Sequence, residues 1–180
     1  IEKFHACFKG YECVPSHLSL FKPHTADIMD FLLSQDILYV GGGNTKSMLA
    51  LWREWKIDAA LKDALGQGIV LAGISAGAIC WFEEGATDSI PGRISVLPCL
   101  GFLPGSCCPH FDAEPLRRET VPRLIKEGTM KPGYAIDNSA ALHFVDGSLK
   151  ACVCSIPGKG TTHLVHNRSI RLASNLIAIQ

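Results

Sequence analysis

Ser75, set between two glycines in Gly73-Ile74-Ser75-Ala76-Gly77, is the side chain of this sequence whose surroundings suit a nucleophile. An apolar run, Ile69 to Ala72, leads into it, and a helix-compatible run, Ala78 to Phe82, leaves it. The pattern predicts strand, sharp turn and helix, with the serine at the apex. Small residues on both sides let strand and helix approach closely, and the strained turn exposes the hydroxyl at the sheet edge. The helix N-terminus then points its free N–H groups at whatever sits beside that hydroxyl. The same pentapeptide also serves as a plain strand-to-helix turn in which the serine is only an N-cap.

A serine hydroxyl attacks a carbonyl only when a base removes its proton, and the base needs a third group to fix its tautomer. Seven histidines are available. His110, between Pro109 and Phe111, lies in a strand-to-helix region after the elbow, where a loop could return to the same sheet edge. His143 sits in an apolar strand, and His5, His17, His24, His163 and His166 have no evident link to Ser75. For the third group Asp88, in Ala86-Thr87-Asp88-Ser89, lies between elbow and histidine. Glu83, Glu84, Asp112, Glu114 and Asp137 compete with it, because triads are defined by geometry and not by order.

The elements that must hold these residues read as an α/β fold. The 180 residues suffice for one domain with one core, and 47% hydrophobic against 19% charged residues describes an ordinary globular chain. Seventeen basic and seventeen acidic residues leave no net charge, which argues against a nucleic-acid or membrane-surface partner. No apolar run approaches the ~20 residues that span a bilayer, and no basic-then-apolar leader opens the chain, so a soluble, cytoplasmic protein is expected.

Phe4 and Phe8 stand one turn apart in a helical opening segment. Leu18 to Phe21 is a strand candidate and Asp27 to Leu33 a short helix. Asp36 to Val40 reads as a buried strand ending in Gly41-Gly42-Gly43-Asn44-Thr45, where glycines permit close backbone approach and Thr45 can cap the next helix, Lys46 to Trp55. A further helix, Ile57 to Leu65, precedes the elbow strand. Strand, helix, strand, helix implies parallel strands with right-handed crossovers, and sites in such sheets form outside the carboxyl ends of the strands. The glycine loop and Ser75 both stand at such ends. From Glu83 to Pro109 four prolines make the pattern irregular. A charged helix from Glu114 or Pro115 to about Lys126 follows. The remainder is β-rich, with strands at Tyr134 to Ile136, Ala141 to Val145, Leu149 to Cys154 and Thr162 to Val165, and an Asp146-Gly147 hairpin turn.

Eight cysteines do not form a disulfide-framework spacing, and Cys80, Cys99, Cys152 and Cys154 fall in apolar runs as small hydrophobes. Two groupings offer metal ligands, His5 and Cys7 with Cys13 and His17, and Cys107-Cys108 beside His110. Neither has the paired spacing of a zinc site, so no metal and no cofactor is expected.

Gly41 to Thr45, the Gly73 to Ala78 elbow, Thr87-Asp88, and Pro109-His110-Phe111-Asp112 together resemble the peptidase E family of aspartyl dipeptidases, relatives of cyanophycinase. The resemblance covers most of the chain, strongest from Ile37 to Gly147, with four motifs in the family's order. It implies a largely parallel sheet with flanking helices, related to class I glutamine amidotransferases, and a single domain over 1–180 that lacks the family's first strand and glycine-rich loop. It implies a serine peptidase with Ser75 as nucleophile, His110 as base and Asp88 as third member. The N–H of Ala76 and one from Gly43 or Gly42 would be the oxyanion donors. A small peptide with N-terminal aspartate is the implied substrate, held by Arg117, Arg118 and Asn44. The arginines have an alternative, a solvated helix face paired with Glu114 or Glu119. A monomer or homodimer is expected. Two other functions fit a serine elbow: an α/β-hydrolase-type esterase, which ordinarily places far more chain between serine and histidine, and a non-catalytic ligand-binding scaffold.

Overall fold

The computed structural model describes residues 1–177. Helix α1 (Glu2–Phe8) stacks Phe4 on Phe8, and α2 (Ile28–Leu33) begins at Asp27, whose carboxylate accepts the Asp30 N–H. Strand β1 (Ile37–Val40), α3 (Thr45–Glu54), α4 (Ile57–Gly66) and β2 (Val70–Gly73) then form a strand–helix–helix–strand unit. β1 and β2 pair in parallel, Val40 opposite Gly73, so the glycine loop and the elbow leave adjacent strands on the same side. Apolar residues recur along one stripe of α3 and α4, and Leu49, Trp52, Ile57, Ala60, Leu61 and Ala64 fill the core beneath.

The short helix α5 (Ala76–Ile79) follows the elbow and packs against β1, β2 and the next two parallel strands. Those belong to a six-stranded sheet built from β3 (Phe82–Thr87), β4 (Ser95–Pro98), β5 (Leu103–Cys108), β6 (Gly133–Ile136), β9 (Thr161–Val165) and β10 (Arg168–Arg171), in the order β10-β9-β6-β5-β3-β4. β3, β5 and β6 run parallel, and β4, β9 and β10 extend the sheet in antiparallel fashion. Helix α6 (Pro115–Lys126) connects β5 to β6. It buries Val121 and Ile125 in a second core cluster with Ala86, Ala135 and Leu164. A hairpin of β7 (Ala140–Val145) and β8 (Ser148–Cys154), turning at Asp146-Gly147 with both residues at positive φ, pairs with β11 (Asn175–Leu176). The chain is thus α/β, with parallel central strands, flanking helices and a β-rich C-terminal part.

Three sequence expectations are corrected. Leu18 to Phe21 forms no strand. Asn44, not Thr45, caps α3: its Oδ1 accepts the Ser47 N–H at 3.0 Å, while Thr45 is buried and its hydroxyl meets Thr87. The stretch from Glu83 to Pro109 is not irregular but carries β3, β4 and β5. Within it Glu83 accepts the Gly105 N–H and pairs with Lys131, whose own N–H donates to Glu84. The prolines sit where a missing donor costs little, Pro98 at the end of edge strand β4 and Pro104 near the start of β5. Among the described residues no helix is long and apolar enough to cross a membrane.

Candidate functional site

Parallel pairing within each of two sheets, joined through α5, brings four strand ends together. Gly41 to Gly43 follow β1, Ser75 follows β2, His110 lies just beyond β5, and Asn138 lies just beyond β6. Ser75 adopts φ 58°, ψ −118°, a conformation that a side chain enters only under local constraint. The constraint is visible on both flanks. A Cβ at Gly73 would overlap the Gly77 carbonyl, and one at Gly77 would overlap the Val40 carbonyl. Gly42 backs the serine itself, since a Cβ there would stand 3.1 Å from Ser75 Cβ. His110 (φ 56°) and Ser139 (φ 62°), next to Asn138, are also at positive φ. Of the five non-glycine residues in that region among the described residues, three therefore cluster here. Strain gathered in one place points to a site.

Ser75 Oγ lies 2.9 Å from His110 Nε2, and His110 Nδ1 lies 2.7 Å from Asn138 Oδ1. An amide oxygen only accepts, so Nδ1 carries the ring proton and Nε2 presents its lone pair to the serine hydroxyl. This is the tautomer a general base needs. Ser75 and His110 are half-buried, whereas Asn138 is exposed. The N–H groups of Gly42, Gly43 and Ala76 donate to no atom of the described residues, and Ala76 is the first residue of α5. They are available to a bound oxygen.

Asp88, expected as the partner of His110, is not brought to it. The sheet order explains why: β5 lies between β3 and β6, so His110 has Asp88 after one neighbouring strand and Asn138 after the other. The imidazole turns to the β6 side. The Asp88 carboxylate lies instead 3.3 Å from Arg117 Nη2. Asn138 went unnoticed in the sequence because the search was for a carboxylate, and a neutral amide in a turn carries no titration signal. The clue available was positional: it follows a strand that had been recognised, at the edge where sites form.

Arg117, expected to reach a substrate, is 2% exposed. Nε donates to Glu114 at 2.5 Å and Nη1 to the Ala86 carbonyl at 2.8 Å. Burial works against its charge, but the carboxylates of Glu114 and Asp88 outweigh that and hold the guanidinium more firmly charged than usual. It ties α6 to β3 and is not a ligand contact. Replacing Arg117 with methionine removes its donor from the Ala86 carbonyl, and should lower stability by about 2 kcal/mol in urea unfolding, with KM unchanged. A large rise in KM with stability intact would contradict this. Asn44 is likewise occupied, Oδ1 by the α3 cap and Nδ2 by the Ser89 carbonyl at 2.9 Å. Arg118 differs. It is exposed, its Nε donates to the Phe111 carbonyl beside His110 at 3.0 Å, and its terminal nitrogens donate to no described residue.

Behind the site Cys107 and Cys108 are buried, and burial pushes the Cys108 thiol up to about 11 and raises that of Cys107 well above its ordinary value, so both stay neutral. His5 and His17 meet at 3.0 Å on the surface. Among the described residues no third His, Cys, Asp or Glu joins such a pair to hold a metal ion.

The sequence has counterparts among known proteins. Residues 1–152 match the model of peptidase family S51. The chain is 51% identical over 158 residues to the uncharacterized peptidase YgaJ of Bacillus subtilis (strain 168), an alignment covering 88% of this chain and 68% of that protein. A family model that matches most of this chain, on a fold whose strand ends gather a serine and a histidine at hydrogen-bonding distance, establishes that the chain belongs to peptidase family S51.

Proposed function

We propose that this chain is a serine peptidase that cleaves small peptides through an acyl-enzyme on Ser75. The observation that carries the reading is the 2.9 Å contact between Ser75 Oγ, held at a strained elbow, and the unprotonated Nε2 of His110. Ser75 Oγ attacks the scissile carbonyl carbon while His110 Nε2 takes the hydroxyl proton. The resulting oxyanion accepts from the N–H of Ala76 and from Gly43 or Gly42. The C–N bond breaks, His110 returns the proton to the leaving amine, and water enters by the reverse sequence to free the acid. Asn138 fixes the imidazole tautomer, as asparagine does in cysteine–histidine–asparagine sites, without adding a charge beside the imidazolium. Loss of one oxyanion donor in such sites lowers turnover by roughly 10²–10³.

The substrate class we propose is the dipeptide with N-terminal aspartate. Arg118 supports it, as an exposed guanidinium anchored beside His110 with a free fork that matches a carboxylate bidentately. Eight free thiols, most of them buried, support a reducing compartment such as the cytoplasm. The reading is tested with a panel of Asp-X, Glu-X, Asn-X and acetyl-Asp-X dipeptides. Asp-X should be cleaved preferentially, and Arg118→Ala should raise KM for Asp-X by roughly tenfold while leaving Asn-X unchanged, the effect of losing one charge-assisted contact. Equal rates across the panel would remove the aspartyl assignment.

A further inference from the structure

Asn138 holds the imidazole proton, yet it is exposed and sits in a turn, where an amide left to itself would rotate. What prevents that is a charged pair. Asp112, two residues beyond His110, is 10% exposed at its side chain, and its two oxygens face two different loop segments, the turn after β6 and the loop before β9. Oδ1 accepts the backbone N–H of Asn138 at 2.7 Å, and Oδ2 meets Lys159 Nζ at 2.5 Å. Lys159 is placed in turn by the neighbouring backbone. The Asp137 N–H donates to the Gly160 carbonyl, the Gly160 N–H donates to Asp137 Oδ2, and Arg171 Nη2 donates to the same oxygen at 2.7 Å. The His110 segment is also pinned to β6, since the Phe111 N–H donates to the Ile136 carbonyl at 3.0 Å.

We propose that Asp112 and Lys159 are positioning residues for the His110 base: their ion pair locks the backbone of Asn138 so that its amide oxygen stays on His110 Nδ1. The inference rests on the serine-peptidase reading of Ser75 and His110. Neither residue touches the reacting atoms. The carboxylate bridges the segment that carries the base to the segment that carries its orienter, and the ammonium fixes the carboxylate's second oxygen. Burial acts to raise the Asp112 pKa, but the Lys159 hydrogen bond, the Asn138 N–H and its own backbone N–H prevail and hold it below the usual carboxylate range. Asp112 is therefore ionised, and an acceptor at both oxygens, at neutral pH.

The test compares Lys159→Met, Lys159→Arg, Asp112→Asn and Asn138→Ala, each checked for folding by circular dichroism. Two readouts are taken: the rate at which a fluorophosphonate labels Ser75, and kcat and KM on Asp-Leu. Asn138→Ala should slow labelling by roughly 10² or more. Lys159→Met and Asp112→Asn should slow labelling and lower kcat by roughly tenfold with KM within about twofold, and Lys159→Arg should restore both. In the Asn138→Ala background, Lys159→Met should cost less than about twofold more, because the pair acts only through Asn138. Labelling of Lys159→Met at the wild-type rate, or a full tenfold loss in the Asn138→Ala background, would overturn the proposal. If folded wild type is not labelled at Ser75 at all, the peptidase reading is what fails. The strut is then judged by the His110 Nδ1–H proton resonance, which Asn138→Ala should abolish. Faster solvent exchange of that proton in Lys159→Met sustains the strut, and unchanged exchange ends it.

Discussion

Ser75→Ala is expected to lower kcat on Asp-Leu by roughly 10⁴–10⁶ and to leave KM and the unfolding midpoint almost unchanged, the pattern of losing a group used only in the transition state. The stability half follows from the surroundings. Ser75 Oγ has His110 Nε2 as its hydrogen-bond partner, both residues are half-buried, and alanine removes no packing atom beyond the hydroxyl. Alanine also keeps the strained φ of 58°, which the flanking glycines impose and the hydroxyl does not. The activity half follows from the proposed division of labour: if Ser75 is the nucleophile, no acyl-enzyme can form without Oγ, and only the backbone N–H groups remain to assist attack by water. His110→Ala should cost about as much, and the double variant little more than either, because serine and histidine act as one unit. Steady-state kinetics of the three variants, with mass spectrometry of the phosphonylated protein, check all of this. Unchanged turnover in Ser75→Ala would remove the acyl-enzyme mechanism, and additive losses in the double variant would break the coupling of Ser75 to His110.

What could be read in the sequence was whatever the backbone demands. The Gly73 to Gly77 elbow is legible because only glycine fits where a Cβ would overlap a carbonyl, so composition and geometry are the same fact. The glycine loop beside it is legible for a related reason: residue 42 stands against the Cβ of Ser75. Side-chain partners are another matter. Thr87-Asp88 and Asn138 follow the two strands that flank β5, and the sequence holds nothing that says which way the His110 ring turns. One constraint comes from a buried arginine on α6, 29 positions from Asp88. Arg117 engages Asp88 and the Ala86 carbonyl and so keeps the end of β3 for structural use. The strands between Glu83 and Pro109 were hidden by prolines, which read as breaks although Pro98 only ends edge strand β4 and Pro104 stands near the start of β5. Strand ends, then, were legible, and the choice among side chains at those ends was made by long-range pairs such as Arg117 with Asp88 and Asp112 with Lys159.

Gly77→Ala carries the second large effect, and it separates the elbow's architecture from its chemistry. A Cβ on residue 77 would overlap the carbonyl of Val40, the last residue of β1, and press on the Val40 side chain as well. Neither neighbour can retreat cheaply. Val40 is registered opposite Gly73 in the β1–β2 pair, its carbonyl accepts the Ile74 N–H at 3.0 Å, and α5 is packed against β3 and β5 on its other side. Relief requires α5 to move away from β1, taking the Ala76 N–H and Ser75 with it. The expected cost is about 3 kcal/mol or more, the upper end for a forced overlap in a packed interior. Activity should fall by roughly 10² beyond any unfolded fraction, since a displacement near 1 Å at a reacting group costs about that much. Gly66→Ala is the matched control. Residue 66 closes α4 with nothing within 4 Å of its added Cβ, so alanine there should be neutral or slightly stabilising. Urea midpoints and Asp-Leu turnover for the two variants decide the matter. Should Gly77→Ala match wild type in both, the close approach of α5 to β1 would not be what holds Ser75 at the strained elbow.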